Sequence, residues 1–178
     1  MIDTENLVLR QMLPGDNTKK LSLGNEAHTP LKIFLQKNAL AFHQAEIAKT
    51  FVLVEHPDTP SSVWGYITLM SSEITLNEGQ KPREPFAVSR YEAFPAIKIA
   101  RLAIDKTLQG KQFGTRCLNW CISHVKLAIM PHVGCRFLAV DAKSGSIEFY
   151  QKSGFVLLDT EANRSDEHPL MFFDLFHQ

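Results

Sequence analysis

This sequence has few cysteines, no net charge and no long apolar run. Three cysteines among 178 residues cannot form a complete disulfide framework, and a chain of this length does not need one to fold. Residues 1–6 lack the basic flank and apolar stretch of a secretory signal, and no apolar run approaches the ~18 residues that span a bilayer. We therefore expect a soluble, cytoplasmic protein that does not associate with a membrane.

The composition is that of a folded globular protein. Hydrophobic residues make up 44% of the chain and charged residues 21%, whereas disordered chains are poor in apolar residues and carry a high net charge. No fixed-period repeat or low-complexity tract interrupts the sequence. Since the length is that of one ordinary domain, we expect a single domain over residues 1–178.

Acidic and basic residues balance over the whole chain, with 19 of each, but not along it. Residues 98–126 carry six basic side chains against Asp105 alone, a net charge of +5. After Gly154 the chain carries five acidic side chains against Arg164 alone, a net charge of −4. Because the basic stretch surrounds a glycine-bearing loop, it predicts either a solvated face or a site for an anion.

Hydrophobic periodicity in the first half of the chain predicts strands and one long helix. Strand patterns cover residues 7–10, 51–54 and 63–70, and the last two are expected to pair as a hairpin. Apolar residues at helical spacing predict a helix over residues 30–49, with Thr29 as its N-cap. Residues 77–95, rich in proline and charge, predict an irregular connection.

The second half alternates between strands and helices. Helices are predicted from the glycine loop to about residue 129 and from Ser144, as a cap, to residue 152, with Gly154 ending the latter. Strand patterns cover residues 97–105, 136–141, 155–158 and 171–175. This alternation of strands and helices predicts an α/β fold.

The segment Gln109-Gly110-Lys111-Gln112-Phe113-Gly114 lies between a predicted strand and a predicted helix. The N–H groups that open a helix lack internal partners and carry partial positive charge, so they bind phosphate. Glycines allow the backbone to approach such a ligand closely. The spacing is neither G-x-x-x-x-G-K-[ST] nor G-x-G-x-x-G, which excludes the two commoner nucleotide-binding loops.

Three segments in this order resemble the GNAT N-acetyltransferases: residues 99–105, the loop 109–114, and Phe149-Tyr150-Gln151-Lys152-Ser153-Gly154-Phe155. The loop is similar to the family signature Q/R-x-x-G-x-G/A, which binds the acetyl-CoA pyrophosphate, and the third segment to an F-Y-x-x-x-G-F motif beside the thioester. Further segments resemble one branch, the toxins of bacterial type II toxin–antitoxin modules: residues 23–26, 31–35, 50–54, 65–69, 101–105 and 140–143.

The resemblance implies an α/β GNAT fold, with a mixed central sheet of about six or seven strands that is flanked by helices and splayed between strands 4 and 5. It implies acetyl-CoA as co-substrate, with backbone groups of one strand holding pantetheine and stabilising the oxyanion, and loop amides cradling the pyrophosphate. The cofactor-binding residues it implies are Leu102, Ala103, Ile104, Gln109, Gly110, Lys111, Gln112, Phe113, Gly114 and Thr115.

Two residues of these motifs decide the implied chemistry. Gln112 stands where the signature has glycine, and its side chain either crowds the pyrophosphate or turns aside and donates a hydrogen bond. Tyr150 is the implied catalytic acid, because a phenol with a pKa of about 10 is protonated at neutral pH and can protonate a thiolate whose thiol pKa is near ~8.5. The alternative for Tyr150 is simple packing on a short helix.

No general base stands out, since spacing singles out none of Glu73, Glu78 and His56. An α-amino group titrates near ~7.7–8.0 and a lysine amine near ~10.4, so a missing base favours an α-amine acceptor. The toxin resemblance implies aminoacyl-tRNA. Candidates for phosphate contacts to such an acceptor are Arg101, Lys106 and Arg116.

The toxin resemblance also implies a small antitoxin protein as partner, and a homodimer. Two alternatives stay open. One is an N-acetyltransferase for a small molecule or a protein, and the other is a GNAT-like module whose CoA binding is weakened because Gln112 replaces the motif glycine.

Cys117, Cys121 and His124 share one face of a predicted helix, where a metal site would need a fourth ligand such as His132 or Cys135. The same face continues with apolar residues, so we predict core packing and no metal site.

Overall fold

The computed structural model describes residues 4–83 and 90–176. The strands are β1 Val8–Gln11, β2 Lys49–Val54, β3 Gly65–Thr75, β4 Ala93–Ile104, β5 Phe137–Asp141, β6 Val156–Leu157 and β7 Leu170–Asp174. The α-helices are α1 Thr29–Lys37, α2 Ala39–Gln44, α3 Phe113–His124, α4 Ile147–Lys152 and α5 Glu161–Arg164. A π-helical segment, Val125–Ile129, continues α3, and no helix in these two ranges is long and apolar enough to cross a membrane.

The strands form one mixed sheet of seven strands in the order β1-β2-β3-β4-β5-β7-β6. β2 pairs antiparallel with β3, which confirms the predicted hairpin, and β4 pairs parallel with β5. The β4–β5 register covers only Ala96–Lys98 and Phe137–Ala139, although β4 continues to Ile104. The predicted α/β fold with a seven-stranded mixed sheet is therefore confirmed, and the short ladder is what a splay after these residues requires.

The chain divides into two compact units, and their boundaries fall within β3, β4 and α3. Of the described residues, 4–70 and 100–120 make up the first unit, and 71–83, 90–99 and 121–176 make up the second. The expectation of one domain over the whole chain stays a prediction.

The first unit has core residues on both faces of β4, because side chains alternate along a strand. Ala103 belongs to a cluster with Phe34 and Leu35 of α1. Ile104 belongs to another cluster, in which Phe113 of α3 is buried. The end of β4 therefore lies between α1 on one face and α3 on the other.

The second unit is built around aromatic side chains. Phe137 of β5 makes edge-to-face contacts with Phe94 and Phe172, at ring-centre distances of 5.9 and 5.6 Å. Phe155 packs against Phe173 at 5.4 Å. Because Phe172 and Phe173 are adjacent on β7, they point to opposite faces of the sheet, so aromatic contacts hold β7 on both faces.

The predicted helix over residues 30–49 is wrong in its second half. Helix α1 ends at Lys37, α2 ends at Gln44, and residue 49 already belongs to β2. The chain reverses at Glu46, which has a φ of +61°, and the His43 Nδ1 atom accepts the N–H of Thr50 at 3.1 Å. The helical spacing of apolar residues continues through this turn, so periodicity alone could not place the end.

Both predicted caps are also wrong. Thr29 is the first residue of α1, and the capping oxygen is that of Asn25, which accepts the Ala27 N–H at 2.9 Å ahead of a 3-10 turn. Ser144 lies within a 3-10 turn that precedes α4 and caps nothing. Part of the predicted irregular connection over residues 77–95, namely residues 84–89, lies outside the described residues, and its predicted end is wrong because β4 begins at residue 93.

Candidate functional site

A buried carboxylate fixes the point where β4 turns into the glycine loop. Asp105 is 2% exposed, and its oxygens accept hydrogen bonds from the N–H of Ser22 at 2.8 Å, the N–H of Thr107 at 3.0 Å and the Thr107 hydroxyl at 2.7 Å. Its backbone carbonyl accepts the N–H groups of Leu108 and Gln109. Asp105 therefore ties the loop to the segment before α1.

The Gln109 side chain anchors the loop a second time. Its Nε2 donates to the carbonyls of Ile104 at 3.0 Å and Leu23 at 3.3 Å. Its backbone N–H is bonded to Asp105, and that of Lys111 to Leu108. The backbone N–H groups of Gln109 and Lys111, two of those expected to bind a pyrophosphate, therefore donate hydrogen bonds within the loop.

Two loop residues adopt the left-handed backbone conformation. Gly110 has a φ of +73°, and Gln112 has a φ of +63°. L-residues with a side chain rarely adopt this conformation, which costs roughly 1–2 kcal/mol for a non-glycine residue. Gln112 therefore has the backbone shape that suits glycine, although it carries an exposed side chain.

The loop ends at the N-terminus of α3. The first helical hydrogen bond in this turn runs from the N–H of Arg116 to the carbonyl of Gln112 at 2.9 Å. The N–H groups of Phe113, Gly114 and Thr115 come before this bond. As the first N–H groups of a helix, they have no acceptor within the helix and can donate to an external acceptor. The Phe113 side chain is buried and fixes this turn against the core.

Three exposed cations lie in the segment that leads from β4 into the first turn of α3. Within residues 4–83 and 90–176, Lys106, Lys111 and Arg116 form no ion pair, and the Arg116 guanidinium lies 4.7 Å from the Phe113 ring centre. Lys98 differs, because it pairs with Asp141. The basic stretch predicted from the sequence therefore includes three cations that remain available to an anion.

The strand residues predicted to hold pantetheine lie directly before the loop. Ala103 and Ile104 are buried and Leu102 is half-buried. The chain comes very close to β3 here, since a Cβ atom on Gly65 would lie 3.0 Å from the Ala103 carbonyl oxygen. The packing is compatible with contacts through backbone atoms, and the role itself stays a prediction.

Tyr150 lies on α4 in the second unit. Its side chain is 6% exposed, and its ring contacts those of Phe149 and Phe155 at 5.0 and 5.4 Å. Burial raises the pKa of the phenol above its usual value, and Cys121 acts in the same direction. The hydroxyl is therefore protonated at neutral pH, as an acid catalyst must be.

The structure does not single out any of the three predicted candidates for the general base. Glu73, Glu78 and His56 are all exposed, and Glu78 is ion-paired with Lys81 at 2.7 Å. His56 lines an open pocket of about 460 Å³ together with Glu55.

The cysteines pack as core residues. Cys117, Cys121 and Cys135 are buried thiols, and burial raises the pKa of Cys117 to about 12. Cys117 belongs to the cluster that contains Ile104 and Phe113, as the core interpretation predicted. The described residues contain no group of three or more histidine, cysteine or acidic side chains placed to hold a metal ion.

Sequence reasoning missed the anchoring contacts of Asp105 and Gln109 and the ring beneath Arg101. The Cζ atom of Arg101 lies 3.6 Å from the ring centre of Phe34. A signal for Asp105 was present, because an aspartate two residues before Thr107 is typical of a side-chain-closed turn. The other two contacts join distant segments and leave no local pattern.

Comparison with known proteins shows what this chain is similar to. Residues 84–155 match the acetyltransferase (GNAT) family. A tyrosine-to-phenylalanine mutant of KacT is similar over 96% of this chain and 95% of its own, with a TM-score of 0.76 and 25% identity. AtaT complexed with acetyl-methionyl-tRNAfMet is similar over 94% of each chain, with a TM-score of 0.75 and 26% identity. AtaTR bound with acetyl-CoA is similar over 97% of this chain and 95% of that chain, with a TM-score of 0.72 and 25% identity. The match over residues 84–155 and these likenesses over nearly the whole chain show that this chain has the fold of the GNAT acetyltransferases.

Proposed function

We propose that this protein is a toxin-type N-acetyltransferase, which transfers the acetyl group of acetyl-CoA to the α-amine of an aminoacyl-tRNA. The observation that carries the proposal is the loop before α3, in which Gln112 keeps the left-handed backbone of a glycine. This backbone conformation supports a pyrophosphate-binding loop although Gln112 stands at the glycine position of the signature.

The residues present fit the acetyl-CoA pyrophosphate. The amides of Phe113, Gly114 and Thr115 lack helical acceptors, and the helix dipole adds partial positive charge at this end. Lys111 and Arg116 supply full charges without a protein counter-ion among the described residues. At Gly110 a Cβ atom would meet nothing within 4 Å, so space is open beside the loop backbone.

The reaction joins the amine nitrogen to the acetyl carbon and breaks the carbon–sulfur bond of the thioester. The amine releases one proton to solvent water, the departing thiolate gains one proton, and the residue that donates it is reprotonated from solvent. We assign the second proton to the Tyr150 hydroxyl, which is held in its protonated form by burial. Backbone groups around Leu102 and Ile104 are proposed to stabilise the oxyanion.

Two features support an aminoacyl-tRNA acceptor: no general base stands out among the predicted candidates, and exposed cations are present. An α-amine with a pKa near ~7.7–8.0 is partly neutral at physiological pH and needs no strong base. Exposed Lys106 and Arg116 suit phosphate contacts. The AtaT complex with acetyl-methionyl-tRNAfMet shows a protein of this fold with such an acceptor.

The proposed partner is a small antitoxin. AtaT with a tyrosine-to-phenylalanine substitution has been solved bound to the C-terminus of the antitoxin AtaR, and it is 26% identical to this chain with a TM-score of 0.73. We further propose a cytoplasmic location and a homodimer. Coexpression with the neighbouring reading frame and copurification test the partner.

The proposal is tested in two steps. Calorimetry with acetyl-CoA should show saturable binding, and charged tRNA should then become acetylated with one CoA released per acetyl group transferred. No binding heat at millimolar acetyl-CoA would refute the enzyme and support a module that has lost the cofactor. Turnover with free amines but not with charged tRNA would favour the small-molecule or protein acetyltransferase.

A further inference from the structure

Arg101 on β4 has a guanidinium that the fold holds in place. Its Cζ atom lies 3.6 Å from the ring centre of Phe34, a residue of α1 that is only 4% exposed. Phe34 in turn stacks on Tyr66, whose hydroxyl donates to the Leu31 carbonyl at 2.7 Å. The ring under the guanidinium is therefore fixed by buried contacts, and Arg101 has little freedom to leave it.

The charge of Arg101 has no protein counter-ion in the described part of the chain. Three other arginines are paired there with a carboxylate: Arg10 with Asp16, Arg136 with Asp174, and Arg164 with Asp159. Arg101 is half-buried and forms neither a hydrogen bond nor an ion pair with residues 4–83 or 90–176. Its N–H donors are therefore left for solvent or a ligand, because a guanidinium carries five donors and no acceptor.

The position of Arg101 separates it from the pyrophosphate site. Residues 101 and 103 point to the α1 face of β4, where Ala103 packs with Phe34. Leu102 and Ile104 point to the opposite face, where they pack with Phe113 at the start of α3. The group that Arg101 receives is thus distinct from the one at the α3 terminus.

We propose that Arg101 binds a phosphate of the tRNA acceptor and thereby determines the preference for charged tRNA over small amines. This inference rests on the proposed function. A guanidinium is a rigid fork that matches two oxygens of a phosphate, and its stacking on Phe34 lowers the entropy lost on binding. The carboxylate of a free amino acid presents the same pair of oxygens, so the experiment must separate the two sources.

The first measurement is equilibrium binding of charged tRNA to the full chain and to Arg101→Met, over a range of salt concentrations. The variant should bind about tenfold more weakly, and the slope of log K against log salt should fall by about one. Lys20→Met is the matched control, since it removes an exposed charge that is not stacked on a ring. Its affinity should stay within about twofold of wild type, because Lys20 lies outside the basic stretch of residues 98–126.

Further variants distinguish a contact from a folding defect. Arg101→Lys keeps the charge without the fork and should restore only part of the lost affinity. All variants should retain wild-type circular dichroism and an unchanged KM for acetyl-CoA. Turnover with a free amino acid, compared between wild type and Arg101→Met, reports whether a carboxylate is the ligand.

Three results would overturn the inference: equal tRNA affinity and salt slope in wild type and Arg101→Met, a loss confined to free amino acids, or a raised KM for acetyl-CoA alone. Failure of wild type to bind charged tRNA would also overturn it. Tight, Arg101-dependent tRNA binding without any CoA release would support the phosphate contact while refuting the proposed acetyl transfer.

Discussion

Replacing Gln112 by glycine tests the central claim about the cofactor loop. The left-handed conformation at a φ of +63° costs a non-glycine residue roughly 1–2 kcal/mol, and glycine removes that cost. Glycine also loses more backbone entropy on folding, which offsets about 0.5–1 kcal/mol. Gln112→Gly should therefore raise the free energy of unfolding by about 0–1.5 kcal/mol.

The measurement is urea unfolding, with Gln36→Gly as the control. Gln36 is an exposed residue inside α1, where glycine should lower the free energy of unfolding by about 0.5–1 kcal/mol. The two identical substitutions are thus expected to act in opposite directions. A similar destabilisation by both would refute a left-handed Gln112.

The same variants decide whether the Gln112 side chain obstructs acetyl-CoA. If it turns aside, Gln112→Gly and Gln112→Ala should bind acetyl-CoA within about threefold of wild type, a difference under 1 kcal/mol. Tenfold tighter binding by both variants in calorimetry would show that the side chain crowds the pyrophosphate.

Three further variants test the remaining roles. Tyr150→Phe should lower kcat at least about a hundredfold while acetyl-CoA still binds in calorimetry, because general acid catalysis contributes about 10²–10⁴-fold; unchanged turnover would remove the assignment. Asp105→Asn should raise KM for acetyl-CoA and lower stability by about 1–3 kcal/mol, since a buried acceptor is replaced in part by a donor facing the Ser22 N–H; steady-state kinetics and urea unfolding check both. His43 has a pKa lowered mainly by burial, so the unfolded chain takes up its proton first, and stability should fall as pH drops below about 6.5. His43→Gln, whose amide oxygen can still accept the Thr50 N–H, should show a smaller fall, and an identical pH profile would contradict this role.

Local patterns predicted those elements whose side chains alternate or repeat without interruption. The β2–β3 hairpin follows from two β-branched runs joined by a turn-rich segment, and its pairing is confirmed. The glycine loop and the start of α3 likewise follow from six consecutive residues. In these cases the contacts that define the structure lie close together in the chain.

The long-range contacts of the site's anchors could not be predicted, because they join segments far apart. Asp105 accepts the N–H of Ser22 across 83 positions, and Gln109 donates to Leu23 across 86. The predicted end of the first helical region was wrong for a related reason. The His43 side chain accepts the N–H of Thr50 on β2, and the helical region ends near residue 44. Tertiary hydrogen bonds override the local spacing in both places.

These anchors explain how a glutamine can occupy a glycine position. Asp105 accepts three hydrogen bonds with a buried charge, and hydrogen bonds to charged groups contribute about 1.5–3 kcal/mol each. The Gln109 amide adds two neutral bonds of about 0.5–1.5 kcal/mol each, and Phe113 is buried beneath the turn. Against these terms the roughly 1–2 kcal/mol of strain at Gln112 is small. The loop conformation is thus held from both ends, so loss of an anchor should harm acetyl-CoA binding more than any substitution of Gln112 itself.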